Sequence, residues 1–188
     1  MSGLGDASGA DRHISPYSTR EKIGRLLWAA AQGSLFRLSF PTWYRWRRWL
    51  LVRFGAQLAP DVRIRRTARF ECPWNLSMGP GSSIGERAEI YCLGPVSIGA
   101  RVTISQNAHV CAGSHDHTRP GMPLLRPPIA IGDDVWIAAD AFVGPRVTVG
   151  AGAIVGARAC AFKDVAPWTI CGGNPARPIG SRQPLGGS

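Results

Sequence analysis

The stretch IGDDVW IAADAF VGPRVT VGAGAI VGARAC AFKDVA, residues 131–166, consists of six consecutive hexapeptides. Position one is aliphatic in every unit, position two is Gly or Ala in five units, and position five is Val or Ala throughout. The register continues upstream at Leu58, Ile64, Phe70 and Leu76, and two-residue insertions restart it at Ile84 and Ile90 and again at Ile98, Ile104 and Val110. Residues 112–130 break the period completely.

A six-residue period fits one face of a triangular coil, in which a short flat strand is followed by a turn at the small residue. The position-one side chain then points inward and stacks on its counterpart about 4.8 Å along the axis. A small residue at position two suits the corner, where a large side chain would clash or strain the backbone. We therefore predict an all-β fold, a parallel β-solenoid with a hydrophobic triangular core.

The rest of the 188 residues divides around this repeat. We predict a disordered tail over 1–19, a basic, Trp-rich helical segment over 20–55, the solenoid over 56–180 with its interrupting loop at 112–130, and a tail over 181–188. The 23 Gly and 15 Pro agree with a turn-rich β protein rather than a helical bundle.

The segment 20–55 contains one acidic residue, Glu21, among eight basic residues and several tryptophans. Apolar residues recur at three- and four-residue spacing, which predicts two short amphipathic helices broken at Gly33 and Pro41. Such helices could cap the open end of the solenoid, or contact a membrane interface with Trp at headgroup level and Arg on anionic lipid. No recognised nucleic-acid-binding motif accompanies the charge, so we expect no nucleic-acid partner.

The net charge of +10 favours an anionic partner without choosing among phosphates, nucleic acid and acidic lipid. Five cysteines, an odd number without a CxxC pair, predict reduced thiols in the cytoplasm. The first apolar stretch, residues 26–36, is far shorter than the roughly 20 residues that span a bilayer. We therefore expect a cytoplasmic protein, with the inner-membrane surface as an alternative location.

The repeat resembles the hexapeptide-repeat acyltransferases over about residues 58–180. Within it, SHDHT (114–118), IGDDVWIAADAFVGP (131–145), FKDVAPW (162–168) and GNPARPI (173–179) resemble the sugar O-acetyltransferase branch. The Trp- and Arg-rich start, CPWNL and ISQNA resemble the colanic-acid-type acetyltransferases of exopolysaccharide biosynthesis. This resemblance implies a left-handed parallel β-helix, a homotrimer, acetyl-CoA as acetyl donor with no metal, and a saccharide acceptor, free or lipid-linked.

The resemblance also implies the catalytic residue. His115 matches the family's general base and lies on the loop that interrupts the solenoid, and a neutral imidazole suits proton abstraction near pH 7. Asp116 could orient that imidazole. Trp136 matches the family Trp that packs beside the catalytic His and the acetyl end of the donor.

The resemblance further implies a coenzyme A channel. Small residues let the pantetheine arm run close to the backbone, and cations supply charge for the nucleotide phosphates. Ala139 and Phe162 stand where relatives have hydroxyl residues. Gly180 stands where relatives have a further Arg, and Arg182 is a candidate substitute for it. The channel residues are Ala139, Ala157, Phe162, Lys163 and Arg177.

Several other polar residues have weaker claims. His117 is a second candidate base, and Cys111 is a candidate nucleophile without a paired base at any useful spacing. His109, His115 and His117 do not have the spacing of the metal ligands in γ-carbonic anhydrases, which share this fold. The acceptor side has no clear match, and four polar residues upstream either face the acceptor or are solvated: Glu86, Glu89, Tyr91 and Asn107.

Two other functions stay open from the sequence. A non-catalytic solenoid scaffold would keep the repeat but have no use for His115, Trp136 and Lys163 together. An N-acetyltransferase of the same fold would keep these residues and act on an amine.

Overall fold

The computed structural model describes residues 16–184. Most of the predicted tail 1–19 and the last four residues of the predicted tail 181–188 lie outside that range. Two helices begin the described chain, α1 (Thr19–Ala31) and α2 (Tyr44–Arg53), and a π-helical turn (Gln32–Phe36) extends α1. One short 3-10 turn, Pro73–Asn75, lies within the solenoid.

Nineteen short strands follow the helices. They are β1 (Gln57–Leu58), β2 (Arg63–Ile64), β3 (Arg69–Phe70), β4 (Leu76–Met78), β5 (Ser83–Ile84), β6 (Glu89–Tyr91), β7 (Val96–Ile98), β8 (Thr103–Ile104), β9 (His109–Cys111), β10 (Ser114–His115), β11 (Leu124–Leu125), β12 (Ile129–Ile131), β13 (Trp136–Ile137), β14 (Phe142–Val143), β15 (Thr148–Val149), β16 (Ile154–Val155), β17 (Cys160–Ala161), β18 (Thr169–Gly172) and β19 (Arg177–Ser181).

The strands form three parallel sheets, which are the faces of a triangular prism. Face A is β1-β4-β7-β12-β15, face B is β2-β5-β8-β13-β16-β18, and face C is β3-β6-β9-β14-β17. Five complete coils result, and a sixth begins with Val165, which pairs with Val149 on face A, and continues to β18 on face B. The antiparallel strand β19 pairs with β18 and ends face B.

The position-one residues fill the interior, as the repeat predicts. Ile137, Val143 and Val155 have no exposed surface, and their upstream counterparts Ile64 and Ile90 have none either. Each apolar side chain removed from water in this column contributes about 1.5–3 kcal/mol.

One detail of the register prediction is wrong. Met78, not Leu76, pairs in register with Leu58 and Ile98, although both Leu76 and Met78 are buried. The two-residue insertion therefore precedes β4. Every departure from the period lies where face C turns into face A, between residues 70 and 78, 90 and 98, 110 and 131, and 161 and 165, since Val165 pairs with Val149. We call this border the CA edge, and the border between faces B and C the BC edge.

The small residue at position two is required by close packing between coils rather than by backbone strain. A Cβ on Gly132 would lie 2.7 Å from the backbone nitrogen of Ala151 in the next coil. The left-handed conformation occurs instead at position four, where Asp134 and Asp140 have φ of 58°. Asp tolerates this region better than most residues.

The helical segment covers the open end of the first coil. Along the solenoid, each coil forms backbone hydrogen bonds with the coils on both sides, for example from Arg65 N to Ile84 O of the following coil and from Asp134 N to Ala100 O of the preceding one. The first coil has no preceding coil, so its outward N–H groups have no backbone acceptor and its outward carbonyls have no backbone donor. Side chains of the segment donate hydrogen bonds to these carbonyls on each face. Arg48 donates to Leu58 O (2.8 Å), Arg47 to Ile64 O (2.6 Å) and Trp28 to Phe70 O (2.7 Å).

Arg47 is fully buried at this end and has no carboxylate partner among the described residues. Its guanidinium also donates to Ser39 Oγ, Phe40 O and Pro41 O, at 2.8–2.9 Å. Burial lowers the pKa of Arg47. Between residues 16 and 184, the structure has no helix that is long and apolar enough to cross a membrane.

Candidate active site

The interrupting loop leaves the CA edge as a β-hairpin. Strands β10 and β11 pair antiparallel, so that His115 faces Leu124 across the hairpin. The His115 imidazole is exposed, and its Nδ1 lies 2.7 Å from Met122 O. Because a carbonyl oxygen only accepts hydrogen bonds, Nδ1 is the protonated nitrogen of the neutral ring. Nε2 therefore carries the free lone pair, which is the arrangement a general base needs.

Asp116 does not orient the imidazole. Its carboxylate accepts hydrogen bonds from Thr118 N (3.1 Å) and Thr118 Oγ1 (2.6 Å), and these bonds lower the pKa of Asp116. Its backbone N–H donates to Pro123 O at 3.0 Å. Asp116 thus shapes the hairpin turn, and the Met122 carbonyl takes the orienting role that the sequence suggested for this carboxylate.

An ion pair connects the loop to the helical segment. Arg126 Nη1 lies 2.9 Å from Glu21 Oε1, and its guanidinium stacks over the Tyr17 ring at 5.0 Å. A groove of about 660 Å³ lies between α1 and this part of the loop, and Trp74 and Asn75 contribute to its wall.

Trp136 lies on face B with 45% of its surface exposed, so it is not a buried core residue. Its indole N–H donates to Ser105 Oγ at 2.9 Å. Sequence reasoning missed Ser105. Its signal was a hydroxyl at position two of ISQNAH, where five of the six units in 131–166 have Gly or Ala. A second groove, of about 610 Å³, follows face B past Ser105 and includes Glu86 and Arg63.

The candidate channel residues fall into two groups. Ala139 and Ala157 lie on the BC edge in successive coils, where Arg158 N donates to Ala139 O at 2.9 Å. Arg177 begins β19, next to Ala176, whose N–H donates to Cys160 O at 2.8 Å on face C. Phe162 and Lys163 follow β17 at the CA edge, the same edge that carries the His115 hairpin two coils away.

The prism thus separates the candidates within one chain. His115, Phe162 and Lys163 belong to the CA edge, whereas Trp136, Ala139, Ala157 and Arg177 belong to face B and the BC edge. The guanidinium of Arg182 is occupied by Asp134 O at 2.7 Å and Gly152 O at 3.3 Å, at the opposite border of face B. Arg182 therefore does not replace the missing Arg at position 180.

The weaker candidates His109 and Cys111 have surroundings that indicate packing rather than catalysis. His109 lies edge-on to Tyr91 and Phe142, with ring centroids 6.4 and 5.4 Å away. Burial raises the pKa of the Cys111 thiol, which makes it a poor nucleophile. Within residues 16–184, no group of His, Cys, Asp and Glu is arranged to hold a metal ion.

Solved structures share this fold. A hexapeptide-repeat-containing acetyltransferase from Vibrio cholerae, complexed with acetyl coenzyme A, has a TM-score of 0.80 at 24% identity, over 92% of this chain and 94% of that one. A galactoside acetyltransferase in complex with coenzyme A has a TM-score of 0.82 at 24% identity, over 90% and 86%. These likenesses confirm the predicted left-handed parallel β-helix with an N-terminal helical extension. No protein-family model matches the chain.

The chain belongs to the hexapeptide-repeat acetyltransferase family, because a relative of known family resembles it over most of its length. That relative is WcaF of Escherichia coli K12, named as an acetyltransferase of colanic acid biosynthesis. It is 42% identical over 156 residues, which are 83% of this chain and 86% of WcaF. The galactoside O-acetyltransferase of the same organism is 26% identical over 147 residues, 77% of this chain and 72% of the relative.

Proposed function

We propose that the protein transfers an acetyl group from acetyl-CoA to a hydroxyl of a saccharide, free or lipid-linked, in bacterial exopolysaccharide biosynthesis. The observation that carries the proposal is the His115 imidazole, which is exposed on the hairpin, fixed through Nδ1 by Met122 O, and free at Nε2. The family membership and the name of the 42% identical relative support the same reaction class.

The imidazole supports a direct transfer. His115 Nε2 takes the proton of the acceptor hydroxyl while the hydroxyl oxygen attacks the thioester carbonyl carbon. This attack forms the new C–O bond. The tetrahedral intermediate then expels the thiolate, the C–S bond breaks, and the imidazolium returns its proton to the leaving sulfur. The products are the acetyl ester and coenzyme A, and general-base assistance of this kind contributes about 10²–10⁴-fold.

The channel candidates from both edges fit the acetyl donor. Ala139 and Ala157 offer a smooth edge along which backbone groups are accessible to a pantetheine arm. Lys163 and Arg177 are exposed, and neither forms an ion pair with a carboxylate in the described part of the chain. Their charges are therefore free for phosphate groups, to which such cations bind strongly.

The separation of the two groups supports a homotrimer. In a closed ring of three prisms, the CA edge of one copy faces the BC edge of its neighbour, so that His115 of one copy meets Trp136 of the next. We place each of the three sites at such a junction. The five cysteines, all free thiols, fit the cytoplasm as the working compartment.

The test compares wild type, His115→Ala and His117→Ala, because His117 is an exposed neighbour on the same hairpin. Acetyl-CoA binding is measured by calorimetry, and transfer is measured on matched hydroxyl and amino sugars and on lipid-linked saccharide extracts. We expect His115→Ala to bind acetyl-CoA but to lose transfer by about 10²–10⁴-fold, and His117→Ala to keep it.

Three results would contradict the proposal. Folded wild type that binds no acetyl-CoA would favour a scaffold. Transfer confined to amino acceptors would make the protein an N-acetyltransferase. Equal losses in the two His variants would remove His115 from its role as base.

A further inference from the structure

The helical segment has an outer surface that the solenoid does not use. Trp28 of α1 and Leu50 of α2 are buried against the first coil, so the opposite side of each helix points away from it. We call this side, together with the turn between the helices, the outer surface of the cap. Nine of the thirteen exposed large hydrophobic residues of the described chain belong to it: Ile23, Leu26, Leu27, Leu35, Leu38, Phe40, Trp43, Trp49 and Val52.

The exposure of these side chains is unusual in degree. Leu26 is 71% exposed and Leu38 78%, and Ile23, Leu26 and Leu27 share one side of α1. Trp49 stacks on Trp46 with ring centroids 5.0 Å apart, and Trp46 donates its indole N–H to Leu35 O at 3.0 Å. The aromatic part of α2 is thus continuous with the turn that follows α1. Apolar patches of this kind mark contact sites for a membrane or another macromolecule.

The charges of the same surface are all positive. Arg20, Lys22, Arg37, Arg45 and Arg53 are exposed, and none forms an ion pair within the described residues. The single acidic residue of the segment, Glu21, is neutralised by Arg126. A partner that fits this surface therefore combines an apolar layer with negative charge.

A small pocket beside the outer surface has the chemistry of a phosphate site. It has a volume of about 210 Å³ and lies between the π-helical turn and the start of face C. Arg37, Arg66 and Arg69 contribute to its wall, together with Gln32 and small residues, and no carboxylate does. Guanidinium groups bind phosphate oxygens with paired hydrogen bonds.

We propose that the outer surface of the cap binds the surface of an anionic phospholipid bilayer. Leucine, phenylalanine and tryptophan side chains enter the interface, the arginines and the lysine contact acidic headgroups, and the Arg37–Arg66–Arg69 pocket receives a lipid phosphate. An amphipathic helix with apolar and basic residues on its outer side binds in this way without spanning the bilayer. The proposal is independent of the proposed reaction, and it would bring the site to a lipid-linked acceptor.

The experiment is co-sedimentation of the full-length protein with vesicles of phosphatidylcholine alone and of phosphatidylcholine mixed with phosphatidylglycerol. We expect binding to the mixed vesicles that weakens as salt is raised, because the attraction to acidic lipid is screened. Leu38→Ser tests the apolar contribution and should weaken binding about tenfold. Arg37→Glu, which changes the charge by two, should weaken it about 30-fold.

Matched controls lie at the other end of the solenoid. Ile179→Ser removes a similarly exposed apolar side chain, and Arg158→Glu makes the same charge change at about four coils' distance, beyond the range of strong electrostatic influence. Both controls should bind as wild type does. Circular dichroism and size-exclusion chromatography establish that all four variants keep their fold and oligomeric state.

Several outcomes would overturn the proposal. Wild type that stays in the supernatant with both kinds of vesicle would show that lipid is not the partner and would favour a protein. Equal binding to both kinds of vesicle would show that the surface does not recognise acidic lipid, and equal effects of the test and control variants would show that the outer surface of the cap is not the binding site. A changed oligomeric state in Leu38→Ser would assign the outer surface to contacts between copies of the chain.

Discussion

Replacement of Arg47 by Met should destabilise the protein more than any other arginine replacement in the helical segment. The methionine keeps much of the stem volume but removes four hydrogen bonds of 2.6–2.9 Å, to Ile64 O, Ser39 Oγ, Phe40 O and Pro41 O. Each buried acceptor left without a donor costs about 1–3 kcal/mol. Part of this is recovered because the charge no longer has to be desolvated.

The net effect is a decrease of about 3–5 kcal/mol in the free energy of unfolding, which is the usual result of removing one partner from a buried charged network. Urea unfolding at fixed protein concentration measures it, with Arg45→Met as the control because Arg45 is exposed on the same helix. The control should change the free energy of unfolding by less than about 0.5 kcal/mol. A loss below about 1 kcal/mol for Arg47→Met would refute the idea that its guanidinium satisfies the open carbonyls.

Two further changes test the corners of the coil. Gly132→Ala should lower the free energy of unfolding by about 1–3 kcal/mol through the clash with the Ala151 backbone, whereas Gly33→Ala, with open space around it, should be neutral or stabilising; equal effects in urea unfolding would contradict the close-packing argument. Asp134→Asn keeps a residue suited to a left-handed φ but removes the negative charge and one of the two acceptor oxygens that bind Arg101 at 2.7 Å and depress the pKa of Asp134. The native pKa lies below the usual value of 3.8, so the stabilisation is complete at neutral pH and is lost as the pH falls through that depressed pKa. The difference in thermal midpoint between variant and wild type should shrink below about pH 4, and a difference independent of pH would refute this assignment.

The solenoid was predictable because its core follows a short local period. An inward side chain recurs with every strand, so the burial of residues such as Ile137 and Val143 can be read along the chain. The register was misplaced where this rule is ambiguous: Leu76 and Met78 are two apart, both apolar and both buried on one strand, and the period alone does not choose between them.

The candidate site was predictable only in part. His115 is visible because it lies on the loop that interrupts a regular pattern, and Ser105 would have been visible as a hydroxyl at position two, where five of the six units in 131–166 have Gly or Ala. The orienting group of His115 carries no sequence signal, because it is a backbone carbonyl, that of Met122. Asp116 was misread because its hydroxyl partner, Thr118, is only two residues away and a local turn satisfies the carboxylate.

The edge strand at each end of a parallel solenoid presents both N–H donors and carbonyl acceptors that no further coil pairs. A bare rod could therefore join to the next rod end to end without limit. By occupying the acceptors of Leu58, Ile64 and Phe70 with side-chain donors, the helical segment stops this growth at its first step. The helices that cover the first coil are therefore also what keeps the protein a finite particle rather than a fibre.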